Sequence, residues 1–108
     1  MKVMDVTTTI RVSDHVDPAS SERTGRAIGA AVVEGLRRGR PVRVCLDGLP
    51  LGFLRSNLFN ALLDAVVLDG HTVEDVASGL EWEAADPAVR EIATYAVKLW
   101  SEARSRRS

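Results

Sequence analysis

A chain of 108 residues can bury one hydrophobic core but not two independent ones, and 45% hydrophobic with 27% charged residues is globular composition rather than that of a disordered chain or a fibre. Fourteen Lys and Arg against fifteen Asp and Glu leave a net charge of -1, which provides no global field for a phosphate backbone or an anionic lipid, so no nucleic acid partner is expected. The single cysteine, Cys45, has no internal disulfide partner, no basic and then apolar leader opens the chain, and no run of about 18 apolar residues occurs. A cytoplasmic protein that does not cross a membrane is expected.

Val3, Val6, Thr8, Ile10 and Val12 recur at nearly every second residue, the period of a half-buried strand. The polar stretch from Ser13 to Ser21 reads as a loop leading to a helix cap at Ser20 or Ser21. From Glu22 to Arg38, Thr24, Ile28, Ala31, Val32 and Gly35 fall three or four apart, which predicts an amphipathic helix stopped by Gly39. Gly25 and Gly29 sit one turn apart within it, and their cost in helix propensity makes sense where another element packs closely on that face.

Val42, Val44 and Leu46 alternate with Arg43, Cys45 and Asp47, which predicts a central strand with Cys45 as buried packing. The segment Gly48 to Leu54 is too rich in Gly and Pro for a helix and too apolar for an idle surface loop. A helix over Asn57 to Leu68 follows, with Leu58, Leu62 and Val66 on one row, Phe59, Leu63 and Val67 on the next, and Ser56 at the N-cap. Residues 71–79 are ambiguous, although Thr72 and Asp75 have the spacing of a capping box. Leu80 to Ala84 alternates as a strand, and Asp86-Pro87 opens a helix in which Val89, Ile92, Ala93, Ala96, Val97 and Trp100 repeat through about Arg104. The expectation is a single domain over residues 1–104, an α/β, two-layer β-α-β-α-β-α fold, with 105–108 as a short basic tail.

Catalytic signatures are missing from the sequence. Gly25-Arg-Ala-Ile-Gly29 lies within a helix rather than in a dinucleotide loop, and no phosphate loop, His-Glu-x-x-His, cysteine pair or nucleophile elbow occurs. His15 and His71 read as solvated histidines near carboxylates, and Glu81 and Glu83 flanking Trp82 read as the wet face of a strand. A non-enzyme with no cofactor and no metal is expected.

The segment from Val42 through Asp47, the Gly48 to Leu54 loop, Arg55-Ser56-Asn57 and on to Leu63 resembles the centre of STAS and STAS-like domains, and Arg23-Thr-Gly-Arg with Gly39 extends the likeness over roughly residues 20 to 104. That resemblance implies a mixed sheet covered by helices. It also implies a docking surface at the loop and helix start, through which anti-sigma-factor antagonists bind a serine kinase of the histidine-kinase-like ATPase class. Carried over, Ser56 is the phosphoacceptor candidate, and Asp47, Leu49, Leu51, Phe53, Leu54, Arg55 and Asn57 form the partner-binding surface. Arg55 stands where the antagonists usually carry an acid, and Asn57-Leu58 replaces a second hydroxyl and a glycine. Two further readings stay open. One is a sensor or accessory subunit that takes a small anionic ligand between Asp47, Arg55 and the helix start, and the other is homodimer formation through an open sheet edge.

Overall fold

The computed structural model describes residues 8–39 and 41–107. In chain order these form strand β1 (Thr8–Arg11), helix α1 (Ser21–Arg38), strand β2 (Val42–Cys45), helix α2 (Ser56–Leu68), helix α3 (Val73–Gly79), strand β3 (Leu80–Glu83) and helix α4 (Pro87–Arg107). Single 3-10 turns occupy Val12–His15 and Leu51–Phe53. Val3 and Val6 lie outside the described residues, and Val12, expected within the first strand, is buried in the first 3-10 turn instead.

The strands run in the order β1-β2-β3, and both neighbouring pairs are parallel. The mixed sheet implied by the resemblance is therefore not what the described strands form. Helical segments join each strand to the next and return the chain to the same end of the sheet, which makes the pairs parallel. Pairing of Ile10 with Val44 and of Val44 with Trp82 puts these three side chains on one face, with Val42 and Leu80 one step along. Thr9, Arg11, Arg43, Cys45, Glu81 and Glu83 lie on the opposite face, where Arg43 sits 3.6 Å from Glu81 and 3.5 Å from Glu83.

All the apolar alternation thus points toward the helices. Ser20 caps α1 by accepting the Arg23 N–H at 3.2 Å, and buried Thr24 secures the preceding loop by accepting the Asp17 N–H at 2.8 Å. α1 buries Ile28, Val32 and Leu36, and α2 buries Leu58, Phe59, Leu62, Leu63 and Val66. Phe59 meets Trp82 of β3 edge to face, with ring centroids 5.8 Å apart.

Gly25 and Gly29 do face another element. A Cβ on Gly29 would stand 2.7 Å from both the Ala65 Cβ and the Leu62 carbonyl oxygen, and one on Gly25 would collide with the Leu58 carbonyl oxygen. The two helices therefore touch backbone to backbone.

The ambiguous stretch resolves as α3, closed by a reciprocal capping box: Asp75 N–H donates to the Thr72 hydroxyl, and Thr72 N–H donates to the Asp75 carboxylate, each at 3.0 Å. α4 continues to Arg107, so residues 105–107, expected as a tail, extend the last helix.

Gly29→Ala tests the helix contact. An exposed helical glycine gains about 0.5–1 kcal/mol on becoming alanine. Here the expected outcome is a loss of about 1–3 kcal/mol in urea unfolding, because α1 and α2 must separate. Gly52→Ala, whose Cβ would meet nothing within 4 Å, should leave the midpoint close to wild type.

Candidate functional site

The loop after β2 leaves the sheet at Leu46, whose N–H donates to the Glu83 carbonyl at 2.8 Å and extends the β2–β3 ladder by one residue. Gly48 (φ 87°) turns the chain, and Leu49 drops into the core. The 3-10 turn that follows is held by Phe53 N–H on the Pro50 carbonyl at 2.8 Å and by Leu54 N–H on the Leu51 carbonyl at 3.1 Å. It leaves Leu51 80% exposed, while Phe53 and Leu54 lie half-buried against the core. The apolar loop is thus divided: Leu49 belongs to the interior and Leu51 to the surface.

Asp47 is exposed just past the end of β2. Its Oδ1 accepts the Ala85 N–H at 2.9 Å, which ties the end of β2 to the chain leaving β3, and the Cys45 thiol lies 3.6 Å from its Oδ2. Asp47 does not line the groove beside Arg55 and the helix start. Cys45 is half-buried on the polar face of the sheet rather than buried packing.

Arg55, not Ser56, occupies the N-cap of α2. Its backbone is extended and its carbonyl accepts the Leu58 N–H at 3.1 Å, but no side chain caps this end of the helix. Ser56 is one residue further in, exposed, and its hydroxyl makes no hydrogen bond to a described residue. Asn57 points elsewhere, into a shallow depression shared with Glu22 and Arg26 of α1.

Arg55, Ser56 and Leu54 instead line one end of a groove of about 370 Å³ between α2 and α4. Phe59 and Trp100 contribute to it from within the core, and Ile92, Tyr95 and Leu99 form its outer wall. At the far end Asp64 accepts the Trp100 Nε1–H at 2.9 Å and an Arg104 N–H at 3.3 Å, and the Arg104 guanidinium lies 5.3 Å from the Trp100 ring centroid. Sequence reasoning missed this groove. Ile92 was expected in the core and is 42% exposed, and Tyr95 and Leu99 belong to no predicted face although they lie three and seven residues after it.

The remaining candidates are occupied by structural roles. Arg43 balances Glu81 and Glu83. His71 is not solvated as expected: its ring is 17% exposed, 3.6 Å from Asp69 and 3.9 Å from Asp75. Among the described residues no group of three or more His, Cys, Asp and Glu is arranged to hold a metal ion, and no helix is long and apolar enough to cross a membrane.

No family model, curated protein or solved structure matches this chain. The resemblance to STAS domains therefore rests on its own residues, chiefly Val42 to Leu63.

Asp47→Ala removes the acceptor of the Ala85 amide and is expected to cost about 0.5–1.5 kcal/mol in urea unfolding. Asp47→Asn keeps a carbonyl oxygen in that position and should cost less.

Proposed function

We propose that this chain is a regulatory protein-docking module of STAS-like type, in which the Leu49 to Asn57 surface engages a protein partner and Ser56 acts as the switch. The observation that carries this reading is Leu51, 80% exposed on a turn pinned by its own backbone hydrogen bonds, five residues ahead of a bare serine hydroxyl. A leucine held out of the core by a hydrogen-bonded turn is a ready apolar anchor for a partner, since burying it adds about 1.5–3 kcal/mol.

Ser56 suits a switch for electrostatic reasons. A phosphoryl group there would add about two negative charges in the first turn of α2, beside the Arg55 guanidinium and helix N–H groups that no side chain caps. Those charges would be stabilised in the free module and costly to desolvate beneath a docked apolar partner, so modification would favour release. By resemblance, the partner class is a serine kinase of the histidine-kinase-like ATPase type or an anti-sigma factor, in the cytoplasm. Such docking calls for no cofactor, metal or catalytic residue.

A second reading, a sensor or accessory subunit for a small anion, draws on Arg55 at the mouth of the α2–α4 groove, without the acid at Asp47.

Pull-down from the native cell with wild type, Leu51→Ser, Ser56→Ala and Ser56→Asp separates these. Docking predicts a partner held by wild type and Ser56→Ala and reduced at least about fivefold by Leu51→Ser and Ser56→Asp, roughly a 1 kcal/mol effect. Equal recovery with all four would end both the loop anchor and the switch.

A further inference from the structure

We propose that the outer ridge of α4 is a self-association surface that packs antiparallel against α4 of a second copy of this chain. It is independent of the docking reading at Leu51 and Ser56, and either can fail without the other.

The helix carries two apolar stripes. One, with Ala93 and Trp100 at its centre, is 0% and 5% exposed and joins the core. The other, Ile92, Tyr95 and Leu99, is spaced three and then four residues apart, as in the seam of a helix pair, and is 42%, 60% and 46% exposed. Single exposed apolar side chains are ordinary on a protein surface, but three in register along one side of a groove form a contiguous patch.

Charge identifies the occupant. Glu91 and Lys98 border this ridge on the side away from α2, seven residues apart, both exposed and neither paired with a described residue. A two-fold axis near Tyr95 brings Ile92 against Leu99 of the second copy, Tyr95 against its own counterpart, and Glu91 against Lys98 twice over. The same axis carries the basic end of α4, at Arg106, toward Asp86 at the start of the other α4. Parallel pairing would instead carry the edge bearing Glu91 and Lys98 to the opposite side of the seam in the second copy, so that neither Glu91–Lys98 contact forms. The ridge is therefore complementary to itself in one direction only. Seated this way, each α4 covers the outer side of the other copy's α2–α4 groove, giving α2-α4-α4-α2 as a four-helix layer.

Sedimentation equilibrium of the full chain across the micromolar range tests this, with circular dichroism to confirm folding of each variant. Wild type should self-associate to a dimer. Glu91→Lys and Lys98→Glu, each turning both attractive contacts into repulsive ones, should each weaken it about tenfold. An equimolar mixture of the two variants should recover the dimer, because opposite charges then face each other again. Leu99→Asp should be monomeric with a wild-type spectrum. A monomeric wild type throughout, a Leu99→Asp dimer, or single charge variants that associate as well as wild type would each overturn the proposal. Recovery of only a foreign protein or an apolar small molecule on the ridge, with the chain monomeric, would do so as well.

Discussion

The close approach of α1 to α2 across Gly25 and Gly29 is the constraint on which the rest of the arrangement depends. Two glycines in one helix interior sacrifice about 0.5–1 kcal/mol each relative to alanine, and in return Leu58, Ala61, Leu62 and Ala65 come within backbone contact of α1. That distance lets α2 reach down onto β3, where Phe59 meets Trp82, while α1 keeps its own contact with Val42 through Gly35. With α2 held there, α4 packs beside it over β3, and Trp100 closes on Asp64. A wider α1–α2 spacing would lift α2 off the sheet and shift both ends of the groove that it forms with α4.

The second determinant is the one-sidedness of the sheet. Parallel strands are usually covered on both faces and read as continuous apolar runs, whereas here Val42, Val44 and Leu80 alternate with Arg43, Cys45 and Glu81. Arg43 bridging Glu81 and Glu83 lets three charges share one wet face. Among the described residues the apolar face of the sheet is consequently the helical side. In addition, a sheet running β1-β2-β3 does not reverse direction, so among the described strands there is no switch point at which a crevice would open beyond the strand ends. The concave surface falls between helices instead, and the loop after β2 becomes a ridge with Leu51 at its crest.

Two surfaces then meet at the start of α2. The loop and the uncapped helix end carry the proposed docking and switching residues, and the α4 ridge carries the proposed self-association. They share a border, since Ser56 and Ile92 line the same groove.

Much of the secondary structure was legible because it is set by local periodicity and capping chemistry. The alternation of β2, the paired rows of α2, a cap at Ser20 or Ser21 and the Asp86-Pro87 start all act over a few residues, so the chain displays them directly, and the Thr72–Asp75 spacing hinted at the box that the structure forms. Gly25 and Gly29 even announced a close neighbour, though not that it would be α2. What local pattern could not decide was what each face would meet. Leu49 and Leu51 are the same residue type two positions apart, yet the turn buries one and exposes the other. Ile92 has helical spacing with Ala93 and Trp100, but α4 turns it toward the groove, and Asp47 is drawn to the Ala85 amide. Those outcomes depend on long-range packing of α2 and α4, and that is where the sequence stops and the tertiary structure decides.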